Sequence, residues 1–219
     1  MSVERVLAGG LFALSAALFL RQAPWAIRLW QTYTGTGGRR QEDATGRAPE
    51  PGHDALGRIA MLAALGYRTI GDTRTRLPVG ERYCRILAAH DRGSYAIVDS
   101  SEPNSGLIGL YTAWPDGTWA GTLHPDGDPH EGPGLRLQLV TGTLGDAVTA
   151  HRSAVDRLRP AHGDPCPVEG MADMLALDVE YRRRFGGREL RLPVVRALLP
   201  TAIALLVSVW SLYLFATLG

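Results

Sequence analysis

Residues 197–218 read ALLPTAIALLVSVWSLYLFATL, without a single charged side chain. An α-helix needs roughly 20 apolar residues to cross the hydrocarbon core of a bilayer. The stretch therefore predicts a transmembrane helix, within a C-terminal membrane segment covering 192–219. Pro200 falls near its start, where a proline is tolerated. Trp210 and Tyr213 lie in its second half, placed to reach a membrane–water interface.

The other end of the chain repeats the theme in shorter form. Val6 to Leu20 reads VLAGGLFALSAALFL, fifteen residues without charge. The arginines that follow, Arg21 and Arg28, can snorkel, and Pro24 to Trp30 can carry the helix into the interface. Trp25, Trp30 and Tyr33 are the aromatic residues expected at that level. A secretory leader is the rival reading of a charged start followed by a short apolar run. No small-x-small cleavage site follows the run, so residues 1–33 are expected to stay as an anchor. Gly9, Gly10, Ser15, Ala16 and Ala17 offer small side chains for close helix contact.

Arginines set the expected orientation. Arg21, Arg28, Arg39 and Arg40 follow the first span; Arg182, Arg183, Arg184, Arg188, Arg191 and Arg196 precede the second. Only Arg5 lies beyond the spans. Basic residues favour the cytoplasmic side. The expectation is a two-pass protein of a bacterial inner membrane, its centre cytoplasmic and both termini outside. The two cysteines, Cys84 and Cys166, would then stay reduced. They form no CxxC and lack further ligands at zinc spacing.

The centre is polar and turn-rich. Residues 34–52, TGTGGRRQEDATGRAPEPG, read as a flexible linker. The GTGG within it lacks the GK[ST] ending of a phosphate loop. A helix is expected over His53 to Leu65, with Leu56, Ile59, Leu62 and Ala63 on its apolar face and Gly66 as its stop. Strands follow at Tyr67 to Asp72, Tyr83 to His90, Tyr95 to Ser100, Leu107 to Trp114, Thr118 to His124 and Leu135 to Val140. Asp91-Arg92-Gly93-Ser94 and Pro115-Asp116-Gly117 provide hairpin turns. Thr143 and Asp146 make a T-x-x-D capping box. Behind it Leu144, Ala147, Val148, His151, Val155 and Leu158 recur at helical spacing. An amphipathic helix over Val168 to Arg184, within a juxtamembrane segment 166–191, carries arginines suited to anionic headgroups. The fold class expected is α+β: a small antiparallel-sheet domain, 53–165, flanked by helices and inserted between the two membrane helices.

Chemical motifs are sparse. His124, Asp126, Asp128 and His130 in HPDGDPH alternate as metal ligands would, but the segment is not an EF-hand loop. His151 falls on an apolar helix face, the usual place for a hydrogen-bonded core imidazole, and no partner base or nucleophile accompanies it. Tyr111, Trp114 and Trp119 flank one turn, either as a contact surface or as cross-strand pairs. Neither span holds a histidine to ligate a haem or chlorophyll, nor a buried acid or lysine to mark an ion path. With 45% hydrophobic residues, 21% charged and a net charge of +1, the chain lacks the basic face of a nucleic-acid binder.

No cofactor and no catalysis are therefore expected. The reading is an accessory, structural subunit of a large bacterial membrane complex, with a photosynthetic reaction-centre–light-harvesting assembly as the instance named. Its partners would be other integral membrane subunits and lipid. The contact residues would be Trp25, Trp30, Tyr33, Trp114, Trp119, Arg182, Arg183, Arg184, Trp210 and Tyr213. One alternative is a membrane-tethered ligand-binding or sensor module with a pocket at Tyr95, Tyr111 and Trp114. Another is a metal-dependent enzyme using the HPDGDPH loop.

Overall fold

The computed structural model describes residues 3–34, 41–76, 80–91, 93–100, 107–127, 129–189 and 191–217. The chain divides into two units. One combines Met1–Arg39 with Arg184–Gly219; the other is Arg40–Arg183.

The first unit is a pair of long helices, α1 (Val3–Thr34) and α5 (Arg191–Thr217). Ser15 Oγ accepts a hydrogen bond from Ser208 Oγ at 2.9 Å, and Gly9 lies beside the Phe215 ring. Earlier residues of α1 thus meet later residues of α5, and the two run antiparallel. Leu198–Thr217 is long and apolar enough to cross a membrane, and it is the one such segment among the described residues. Because α5 begins at Arg191, Pro200 sits in the helix interior and not near its start, and Pro24 is likewise internal to α1. Each ring removes one backbone donor from the ladder.

The second unit is built on an eight-stranded sheet. Its strands are β1 (Gln41–Asp43), β2 (Tyr67–Arg76), β3 (Glu81–Ala89), β4 (Tyr95–Asp99), β5 (Ile108–Ala113), β6 (Trp119–His124), β7 (His130–Gly132) and β8 (Leu135–Leu139). The order across the sheet is β1-β2-β3-β4-β5-β6-β8-β7. β3 to β6 form the expected run of antiparallel strands, and β2, expected to stop at Asp72, extends to Arg76 and pairs antiparallel with β3. β8 departs from it by pairing parallel to β6, with β7 folding back on its outer edge. Part of the expected linker also joins the sheet. β1 pairs with β2, Ala44 N donates to the Asp72 carbonyl, and Glu42 meets Arg74 at 2.6 Å.

The sheet is covered on both faces. Leu87, Ala96, Leu110, Thr122 and Gln138 are register partners in one cross-strand row. That face takes helices α2 (His53–Ala64) and α3 (Leu144–His162). Leu62, Ala147 and Val148 close over Leu87, Val98, Ile108 and Leu110 in one buried cluster. The α3 cap forms as its sequence suggests: Thr143 Oγ1 accepts from Asp146 N while the Asp146 carboxylate accepts from Thr143 N. Two orphan N–H groups are thereby satisfied. In α2 the helix is rolled from the expected orientation. Ala55 and Leu62 are buried, whereas Leu56 and Ala63 face outward.

The opposite face is aromatic. Its row runs Ala88, Tyr95, Tyr111, Gly121 and Leu137. Tyr95 stacks on Tyr111 with centroids 5.7 Å apart. Helix α4 (Met171–Glu189) lies over this face. Tyr181 meets Tyr111 at 6.3 Å and Trp119 at 5.0 Å, both edge-on. A Cβ on Gly109 or Gly121 would overlap the Tyr111 ring or the Leu137 side chain. At the start of α4, Met171 packs into the space left by Gly71, where a Cβ would collide with Thr45 and Met171. Residues 166–183 are therefore part of the domain's packing and not an appendage to it.

Truncating Tyr181→Ala should lower unfolding stability by about 3 kcal/mol, the cost of deleting a buried aromatic ring. Gly109→Ala should cost about 1–3 kcal/mol through overpacking. Gly57→Ala, in an exposed helical site with open space around it, should gain roughly 0.5–1 kcal/mol. Thermal or denaturant unfolding of the detergent-solubilised chain distinguishes the three. Equal effects from Gly109→Ala and Gly57→Ala would overturn the packing described for Tyr111.

Candidate functional site

The helix pair has its polarity reversed relative to a water-soluble bundle. Facing inward are Ser15 on α1 and Thr201, Ala204, Ser208 and Ser211 on α5, all buried. Facing outward are Leu7, Leu11, Leu14 and Leu18 on α1, and Leu199, Ile203, Leu206, Val209 and Leu212 on α5; Leu7 and Leu206 are 67% and 69% exposed. A helix in water buries its apolar stripe and solvates its polar one. Soluble monomers rarely expose apolar patches beyond a few hundred Å². Among the described residues, the serines and threonine in the middle of the pair lie in the seam. Ser15 Oγ donates to the Leu11 carbonyl at 2.8 Å and accepts from Ser208, so these two hydroxyls close on the helices themselves, whereas Ser211 Oγ is buried without a hydrogen-bond partner.

The sequence shows the α5 half of this seam as small or hydroxylated residues at 201, 204, 208 and 211, spaced as one helix face. The small residues expected to pack in α1 divide between faces: Gly9 and Ser15 turn to α5, whereas Gly10 and Ala17 face outward. Trp210 and Tyr213 are exposed on α5. The side chains of Trp25, Trp30 and Tyr33 lie outside the described residues.

Trp114 and Trp119, expected to be partly exposed contact residues, are instead buried at 2% and 1% exposure on opposite faces of the sheet. Trp119 sits under Tyr181. Trp114 packs with Val155 and Leu158 of α3, and its Nε1 donates to the Gly163 carbonyl at 3.0 Å. Tyr95 and Tyr111 lie on the α4 face and Trp114 on the α3 face, so the three do not line one pocket. Arg182 pairs with Asp178 at 2.8 Å and Arg183 with Glu180 at 2.9 Å, each about one turn back along α4. Arg184 is exposed.

The HPDGDPH residues separate. His124 ends β6 on the α3 face and its Nδ1 donates to the Val140 carbonyl at 2.9 Å. His130 opens β7 in the row of Leu137, on the α4 face. By strand spacing and rise the two lie about 14 Å apart. Asp126 accepts from Gly127 N, and Asp128 lies outside the described residues. Among the described residues no three metal-ligating side chains come together.

Two other polar clusters stand out. At the end of α3, His162 Nδ1 donates to Asp116 Oδ2 at 2.6 Å, and the Trp114 ring lies 5.9 Å away. The Thr118 N–H and then His162 hold the Asp116 carboxyl below its usual range. This joins the helix end to the β5–β6 turn. Deeper in, His151 is fully buried between sheet and helix. Its Nδ1 meets Thr122 Oγ1 and its Nε2 meets Thr112 Oγ1, each at 3.1 Å. Gln138 Nε2 donates to Thr122 Oγ1 at 2.9 Å, and Thr112 Oγ1 reaches Ser94 Oγ at 2.8 Å. One donor order satisfies the chain: Gln138 to Thr122, Thr122 to His151 Nδ1, His151 Nε2 to Thr112, Thr112 to Ser94. It requires a neutral imidazole. Burial pushes the His151 pKa down to about 4, and nearby Arg152 adds to the effect.

Cys84 and Cys166 are free thiols. Cys84 is buried, which pushes its pKa up to about 12, and Cys166 is partly buried and also raised. Neither has the depressed pKa of a nucleophile. The chain matches no known protein family, and no curated protein or solved structure is significantly similar to it.

His151 makes stability depend on pH. Its folded pKa, about 4, lies below the ordinary 6.5. The unfolded chain therefore takes up this proton first as pH falls. The contribution is whole above about pH 6.5, is lost on descent towards pH 4, and amounts to roughly 3 kcal/mol. Urea unfolding between pH 7 and 4 should show this loss in the wild type and a shallower slope in His151→Gln. Parallel profiles would mean that His151 is not the neutral, closed group described.

Proposed function

We propose that α1 and α5 both cross a bacterial inner membrane and that the chain is a non-catalytic accessory subunit of a larger membrane complex. The observation that carries this reading is the reversed polarity of the helix pair. Its outward leucines, valines and isoleucines suit lipid or neighbouring membrane helices, and the hydroxyls of Ser15, Thr201, Ser208 and Ser211 in its middle are buried in the seam. The register through Ser15 and Ser208 sets Leu198–Thr217 against residues 6–25. That stretch of α1 contains one charge, Arg21, near its end, where a long side chain can snorkel. Two antiparallel spans put both termini on one side. The arginine excess assigns residues 40–183 to the cytoplasm.

Two of the domain's histidines support a structural role. His151 has both ring nitrogens bound to hydroxyls, and His162 is tied to Asp116. The aromatic residues that a ligand-binding module would need fill the two packed faces. The proposed partners are integral membrane subunits and lipid, and a reaction-centre–light-harvesting assembly is the instance to examine first.

Gentle detergent solubilisation of native membranes, native gel separation and mass spectrometry of the band test this reading. Migration with stoichiometric partners is expected, and the partners' cofactors identify the process. Migration alone, as monomer or homodimer, would sink the accessory-subunit proposal.

The membrane assignment is tested separately. Val209→Arg places a charge on the outward face of α5, at a cost of about 2.5–3.5 kcal/mol for insertion. The variant should shift towards the supernatant in an alkaline carbonate wash, while Ser211→Ala stays in the pellet. A periplasm-dependent enzyme reporter fused after Gly219 should be active. An inactive but well-expressed fusion would reverse the orientation.

A further inference from the structure

We draw no further inference here: the strongest candidate, the outward apolar face of α2 formed by Leu56, Ala60, Met61 and Ala64, carries nothing because no feature of the structure shows what covers it.

Discussion

The α4 face of the sheet depends on two missing side chains. Gly109 and Gly121 leave a shallow bed across β5 and β6, and the Tyr111 ring lies in it. With Tyr111 flat on the sheet, Tyr95 can stack beside it and Tyr181 can descend edge-on to reach both Tyr111 and Trp119. Edge-on rings bring positive hydrogens against a negative π-face, which adds to the area they bury. A methyl group at Gly109 would lift Tyr111 and, with it, the helix that Tyr181 anchors. The segment leading towards α5 is thus held by packing in the domain's own core.

The other face is held by different physics. Its packing is mainly aliphatic, joined by Tyr67 and Trp114, and one polar string crosses it from Gln138 through His151 to Ser94. Such a string is costly if any member lacks a partner and strongly specifying if all are paired. Thr112 and Thr122 occupy neighbouring strands, while His151 comes from α3. The bonds therefore fix where α3 lies along the sheet as well as how it is rotated. A leucine in place of His151 would bury well, but Thr122 would lose the acceptor for its hydroxyl proton and Thr112 the donor from the ring, leaving Gln138 and Ser94 as their remaining partners.

Much of this was legible in the sequence. Capping by Thr143 and Asp146 is local, and the turn at Pro115-Asp116-Gly117 depends on backbone preference, so neither needs tertiary information. The β3–β4 and β5–β6 hairpins follow from alternation and turns. What escaped reading depends on partners distant in the chain. Gln41–Asp43 is three polar residues long and becomes a strand only because β2 offers a free edge. HPDGDPHEGPG resembles a loop because its strand, His130–Gly132, gains order from β8, and nothing local signals that β8 inserts parallel to β6. In α2, the Ala55–Ile59–Leu62 and Leu56–Ile59–Ala63 stripes share Ile59, so periodicity alone leaves the roll open. The burial of Trp114 and Trp119 required knowing that helices cover both faces of the sheet.

The apolar character of α5 is plain in the sequence, but composition alone cannot separate a membrane span from a buried core helix. Both are hydrophobic along their length. The distinction lies in which residues the helices hide from their surroundings. A core helix hides its leucines; here leucines are displayed and Ser15, Ser208 and Ser211 are hidden. In water that arrangement would forfeit the hydrophobic term on one side and the solvation of hydroxyls on the other. In hydrocarbon the balance reverses. There the outward leucines would lose nothing to lipid tails, and the bond between Ser15 and Ser208 would give the two helices a reason to pair where apolar side chains provide none.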